Sequence, residues 1–279
     1  MLTFVLSFLV FQLCSTGTPF LPVPLNGLTV LVDPGHGGVD PGAHYKRELL
    51  EKDLVLDIGR DLSGFLSGAG ARVVTTRNGD NDLAPPDMMS LSGRKRFDLR
   101  ERVTMARTNG ADVLVSLHVN SSPSTKKSGA FVYYNDRPEA RDIALAIQNE
   151  LMGLFPARGC VLTGNNLYIL RQSPMPAVIV EAGFISNPAE RKSLAKAAFR
   201  REIAWAVFAG LEKYYQEHNR ALEKSPGVLS HFCSWVVRPQ AGIAFRGREY
   251  RLRSGSGPGS AMEGRAGVYF GGMEESDVS

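Results

Sequence analysis

From Gly27 onward, short apolar runs alternate with stretches in which apolar residues recur at helical spacing. That alternation predicts an α/β fold, a single domain built on a mostly parallel sheet. Leu28–Asp33 (LTVLVD) reads as a buried strand. In LLEKDLVLDIGRDLSGFLSGAG, Leu54, Ile58, Leu62 and Phe65/Leu66 fall on one helical face, and Gly68 to Gly70 end it. ARVVTTR predicts a strand, Asp98–Ala111 a helix stopped at Gly110, and Asp112–Asn120 another strand. GAFVYYN follows as a strand, then a helix from about Glu139 to Leu154, with NLYIL and AVIVEAGF as two further strands. The stretch from Pro188 to Asn219 reads as one or two closing helices, with Pro188 in a first turn.

Two segments break the rhythm, and the two ends differ from the middle. NGDNDLAPPDMMSLSGRKRF, between Arg77 and Asp98, is too long and polar for a tight turn and predicts a lid or binding loop. MLTFVLSFLVFQLCSTGTPF has the apolar length of a signal peptide and falls short of a spanning helix. No Lys or Arg precedes Lys46, so a weak uncleaved anchor stays open beside a cleaved signal; either predicts export. The last segment is Gly/Ser/Arg-rich and without period, which predicts a flexible extension. The expected division is an apolar signal or anchor segment with linker over 1–26, a catalytic domain over 27–222 and a tail over 223–279.

Composition narrows the chemistry. With 43% hydrophobic and 22% charged residues the chain can bury a core, and its net charge of +4 is only mildly basic. No Lys/Arg stripe with interleaved aromatics appears, so nucleic acid is not an expected partner. Cys14, Cys160 and Cys233 are scattered and odd in number, and make neither a disulfide framework nor a cysteine metal knuckle. A metal site here must come from histidine and carboxylate.

Three strand-like runs each deliver such a residue at the carboxyl end: Leu28–Asp33 leads to His36, Asp112–Leu117 to His118, and Ala177–Val180 to Glu181. In parallel α/β sheets that edge is where ligands bind, so three side chains point at one crevice. Gly35, Gly37 and Gly38 let the backbone turn and free the His36 imidazole, although GHGG equally suits a phosphate cradle. Two histidines and a carboxylate can form a zinc triad with an open position. Glu51, in the first turn of its helix, is the third ligand on this reading, against a plain capping role and against Glu48 as a rival. Glu181 would then carry a proton, since an acid ending a buried apolar strand is costly without a partner. His118 also fits a hydrogen-bonded core histidine, and Asp33 either orients an imidazole or forms a turn. His44 is a weaker candidate ligand, while His218 and His231 read as incidental.

VLVDPGHGGVDPGA, LLEKDLVLDIG, TTRNGDNDLAP, DLRERVTMARTNGADVLVSLHVNSSPS and VIVEAGFISNPAER, in this order, resemble the zinc-dependent N-acetylmuramoyl-L-alanine amidases, the amidase_3 family. The resemblance covers about Leu28 to Tyr215. It implies a twisted sheet of about six strands flanked by helices, one Zn²⁺ per chain held by His36, Glu51 and His118, and Glu181 as the catalytic acid/base. EKD marks Glu51 rather than Glu48. The implied partner is peptidoglycan, cut at the amide between N-acetylmuramic acid and L-alanine. The insertion DNDLAP…SGRKRFDLRERV is similar to the sporulation and germination branch of the family. That branch implies a role in spore-cortex muramic-δ-lactam formation, in the forespore intermembrane space or wall, or tethered to the membrane and facing the wall. The Asn81–Phe97 segment becomes a substrate-gripping candidate through GRKR, and an accessory protein stays open. A vegetative wall amidase or autolysin, another zinc hydrolase, and a non-catalytic wall-binding regulator are the competing expectations.

Overall fold

The computed structural model describes residues 24–155, 157 and 159–224. Cys14, Cys233, His231, nearly all of the N-terminal segment and all but the start of the tail lie outside them. Six strands form one sheet: β1 (Thr29–Pro34), β4 (Arg72–Thr75), β5 (Val113–Asn120), β6 (Phe131–Tyr134), β7 (Val161–Thr163) and β8 (Ala177–Phe184). Their order is β4-β1-β5-β8-β6-β7, parallel throughout except where β6 runs antiparallel to β8. The expected single α/β domain with a mostly parallel six-stranded sheet is what forms.

Helices cover both faces, which is why the central strands read as unbroken apolar runs. On one face, Val30, Val32, Val115, Leu117, Val178 and Val180 pack against α1 (Glu51–Gly68), α3 (Ala140–Leu151) and α6 (Ala197–Lys224). On the other, Leu31, Leu114, Ala177 and Ile179 meet α2 (Leu91–Thr108) and α4 (Tyr168–Gln172). The short helix α5 (Pro188–Leu194) joins β8 to α6, with Asn187 accepting from the N–H groups of Ala189 and Glu190 as its N-cap.

Three local expectations are corrected. NLYIL is not a strand but α4; a five-residue apolar run has no decisive period, and here helical spacing buries Ile169 and Leu170. The long loop after Arg77 is helical from Leu91, well before Asp98. Ser90 caps that helix by accepting from Gly93 N–H at 3.2 Å, while Leu91 and Ser92 at its start are exposed and the first turn lacks an apolar face. The start of LLEKDL is a two-residue strand, β3 (Leu49–Leu50), paired antiparallel with β2 (His44–Tyr45).

Under the carboxyl end of β1 lies a buried charge network. Asp33 accepts from Arg102 Nη1 at 2.6 Å, Thr76 Oγ1 at 2.7 Å and Ser116 Oγ at 2.6 Å. Among the described residues it is hydrogen-bonded to no imidazole, so of its two expected roles, orienting a histidine or forming a turn, the first is withdrawn. Arg102 also binds Asp98 at 2.7 Å and the carbonyls of Pro34 and His36. Burial opposes the charge of Asp33, yet Arg102, Ser116 and Thr76 outweigh it and hold its pKa below the usual 3.8. The network's contribution is therefore complete above that value and is lost as acid protonates Asp33. Arg102→Met, which strands two buried carboxylates, is expected to cost about 3–5 kcal/mol in denaturant unfolding.

Candidate metal centre and catalytic acid

The carboxyl ends of β1, β5 and β8 open on one edge, and the site is built there. Past β1 the backbone leaves the sheet through a left-handed run, with φ of 58° at His36, 127° at Gly37 and 56° at Gly38. A β-carbon side chain is strained in that region, so His36 is held there by its surroundings. Its Nδ1 lies 3.0 Å from Asp40 Oδ2, which leaves Nε2 facing Glu51 Oε1 at 3.1 Å.

Glu51 opens α1, a helix whose residue before the first turn offers no side-chain cap. The loop supplies the missing partners: Glu51 N–H donates to Ala43 O at 2.8 Å and Lys52 N–H to Pro41 O at 3.2 Å. Glu51 is 3% exposed. It accepts from Ala43 N–H on Oε2 at 2.6 Å and from Val119 N–H on Oε1 at 2.9 Å. His118 Nδ1 stands 3.0 Å from the same Oε1, and the two imidazoles meet edge to face with centroids 4.9 Å apart. A β-carbon at Gly35 would overlap the His118 ring, and one at Gly42 would crowd His36 and Glu51, so both glycines are set by the site itself.

His36, Glu51 and His118 thus converge, each with one ligating atom within 4.8 Å of the others. Two imidazole nitrogens and one carboxylate oxygen, braced by Asp40 and backbone N–H groups, are a donor set suited to zinc and leave coordination positions open. Burial disfavours charge on His36, but Glu51 and Asp40 outweigh it and push its pKa to about 10. Burial likewise opposes charge on Asp40, and His36 and Lys95 outweigh it, holding it at about 2. The pocket is electrostatically prepared for a cation.

Glu181 lies beside this cluster. It pairs in register with His118 across the β5–β8 ladder, where neighbouring strands stand about 4.8 Å apart. Strand alternation sets both side chains on the α2–α4 face. Glu181 is 2% exposed, and its Oε2 is buried with no hydrogen-bond partner among the described residues. Burial and the charge of Glu51 drive its pKa well above the ordinary value, with His36 a lesser opposing influence.

The other sequence candidates fall elsewhere. Glu48 is exposed, and His44 is exposed with only Gly42 O near its ring, at 3.4 Å. His218 stacks on Tyr214 along α6. In GRKR, Arg94 turns inward to bind Asp82 at 2.6 Å and the carbonyls of Pro85 and Met88, so it braces its own segment. Asp40, Lys52 and Arg77 were not singled out in the sequence. Lys52 ties Gly38 O to Asp80, at 2.9 and 2.7 Å. Only Asp40 had a readable signal, an acid four residues after a candidate ligand.

A three-layer α/β domain with a His/Glu/His cluster and a buried acid at its strand ends is the form of a metal-dependent hydrolase. The comparisons name the family: residues 30–213 match the Amidase_3 model, described as N-acetylmuramoyl-L-alanine amidase, and the chain belongs to that family of enzymes. A germination-specific N-acetylmuramoyl-L-alanine amidase of Bacillus subtilis is 36% identical over 197 residues, 70% of this chain and 83% of the relative. Among solved structures, the CwlD amidase of Clostridioides difficile, determined in complex with the GerS lipoprotein, is 31% identical. It has a TM-score of 0.65 and covers 67% of this chain and 98% of its own. The catalytic domain of CwlV, from Bacillus (Paenibacillus) polymyxa, is 29% identical with a TM-score of 0.58, covering 67% and 97%.

Proposed function

We propose that this peptidoglycan amidase is zinc-dependent, cuts between N-acetylmuramic acid and L-alanine, and acts in spore-cortex maturation outside the cytoplasmic membrane. His36, Glu51 and His118 would hold the ion, and Glu181 is the catalytic acid/base. The observation that carries the chemistry is the unpartnered, buried Glu181 Oε2 one strand across from His118. Support for the sporulation role comes from the germination-specific relative and from the similarity to CwlD. The complex of that neighbour with a lipoprotein supports an accessory protein here as well. Among the described residues no helix is long and apolar enough to cross a membrane. The apolar N-terminal segment, outside them, is the element that would direct export or tether the enzyme.

Held by the three side chains, zinc would supply Lewis acidity toward a carbonyl oxygen and toward water. The chain's own residues do the rest. Asp40 holds His36 Nδ1, fixing the ring so that Nε2 faces inward. Two backbone N–H groups fix Glu51. Glu181 takes a proton from the attacking water and returns it to the departing nitrogen, so the C–N bond breaks to a lactyl carboxylate and a free L-alanine amine.

Purified protein incubated with peptidoglycan should release intact stem peptides with a free L-alanine amine, read by mass spectrometry. Release of single amino acids or cleavage inside the stem would point instead to a peptidase. Spores lacking the protein should contain no muramic-δ-lactam; a normal lactam content with altered vegetative walls would favour a general wall amidase. Gly35→Ala, whose methyl displaces the His118 ring, should weaken zinc binding by about 10–100-fold, the range for lost supporting contacts, in chelator competition.

A further inference from the structure

Arg77 follows β4 and is 3% exposed. Its hydrogen bonds among the described residues all go to backbone carbonyls. Nε donates to Pro34 O at 2.9 Å, and Nη1 to Gly79 O at 2.9 Å. Nη2 donates both to Gly35 O at 2.8 Å and to Lys52 O at 2.7 Å. Gly35 directly precedes His36, and Lys52 directly follows Glu51. One guanidinium nitrogen therefore sits between the two chain segments that carry the histidine and the carboxylate.

We infer that Arg77 is a positioning residue for the metal centre: its guanidinium sets the separation and aim of His36 relative to Glu51. This inference rests on the zinc reading above. The left-handed run from His36 to Gly38 takes the chain out of the ladder, so the carbonyls just before it need donors from elsewhere. The planar fork of arginine offers several N–H groups in fixed directions, which lysine's single ammonium cannot match. Arg102 grips Pro34 and His36 too, but it also neutralises Asp33 and Asp98. Among the described residues Arg77 has no such direct ion pair, and burial together with Arg102 lowers its pKa. Asp33, Asp80 and Asp98 act on its charge from a distance, while its hydrogen bonds are spent on the backbone. Gly37 fits the same picture, since a side chain there would press on the Arg77 stem and on Asn81 O.

A purely structural arginine would lower stability and leave the centre unchanged, so the test separates the two. Full-length wild type, Arg77→Lys, Arg77→Met and Asn135→Ala are compared. Asn135 holds Ser173, Met175 and Ala177 at the opposite, amino-terminal end of β8, and its loss is a control for destabilisation alone. Zinc dissociation constants come from competition with a chromophoric chelator, the ligand field from the visible spectrum of the cobalt(II) protein, and stability from metal-free melting. Both Arg77 variants should raise the zinc dissociation constant about 10–100-fold and shift the cobalt bands. Asn135→Ala should melt lower with both readouts at wild-type values. Should Arg77→Met fail to fold, Arg77→Lys gives the same decision. Arg77 variants that bind zinc and display cobalt bands like wild type overturn the inference alone. A wild type that takes up no zinc overturns the zinc reading, and this inference with it.

Discussion

Glu181→Gln should abolish nearly all turnover while leaving zinc content at about one per chain. The substitution keeps the shape of the side chain and removes its ability to carry a proton. General acid–base groups contribute about 10²–10⁴-fold in rate, and that is the expected fall in kcat. Three observations make the loss specific. Glu181 is outside the cluster of converging ligand atoms, which contains His36, Glu51 and His118. Its Oε2 has no partner whose loss would unsettle the fold. Its pKa is raised chiefly by burial, which favours the uncharged carboxyl; a neutral amide of the same shape matches that form, and the variant should melt close to wild type. Stem-peptide release, metal analysis and thermal melting on one preparation check all three. A variant with reduced zinc would make Glu181 a ligand; one with ordinary turnover would place the proton carrier elsewhere.

The parts of this design that could be read from the sequence are those in which residue type and strand position reinforce each other. His36, His118 and Glu181 each follow an apolar run, and parallel strands bring their carboxyl ends to a common edge, so their meeting was expected. Glu51 was legible through the helix it opens. The resemblance then assigned roles that spacing alone had left open between ligand, cap and core histidine. What could not be read depends on partners distant in the chain. Asp33 looks like a candidate to orient a histidine, but Arg102, 69 residues on, captures it, and Asp40 holds His36 instead. Among the described residues Arg77 binds only carbonyls, and carbonyls have no residue-type signature. The early start of α2 has no periodic signal because its first turn has no apolar face; Ser90 and the Arg94–Asp82 pair hold it. The β2–β3 hairpin has two residues per strand, too few for any period to show.

Glu51→Ala should lose zinc and activity together, and Glu51→Gln should do the same with a milder effect on the fold. The carboxylate has two tasks that these variants separate. Toward the metal, it is the one carboxylate of the converging set and lies 3.1 and 3.0 Å from the two imidazole nitrogens. Losing a direct ligand should weaken zinc binding beyond the roughly 10–100-fold expected for a supporting contact. Toward the fold, it satisfies the buried N–H groups of Ala43 and Val119. Alanine strands both donors, at about 1–3 kcal/mol for each unsatisfied group, whereas the glutamine carbonyl can still accept from one. Metal-free melting should therefore rank wild type above Glu51→Gln above Glu51→Ala. Zinc at a hundred times its dissociation constant should stabilise wild type by about 2.7 kcal/mol, and a chelator should reverse the gain. Neither variant should respond to zinc or chelator at that concentration. A Glu51→Ala protein that still melts higher with zinc would show that His36 and His118 recruit a different third ligand, and Asp40, already 3.0 Å from His36, would be the residue to replace next.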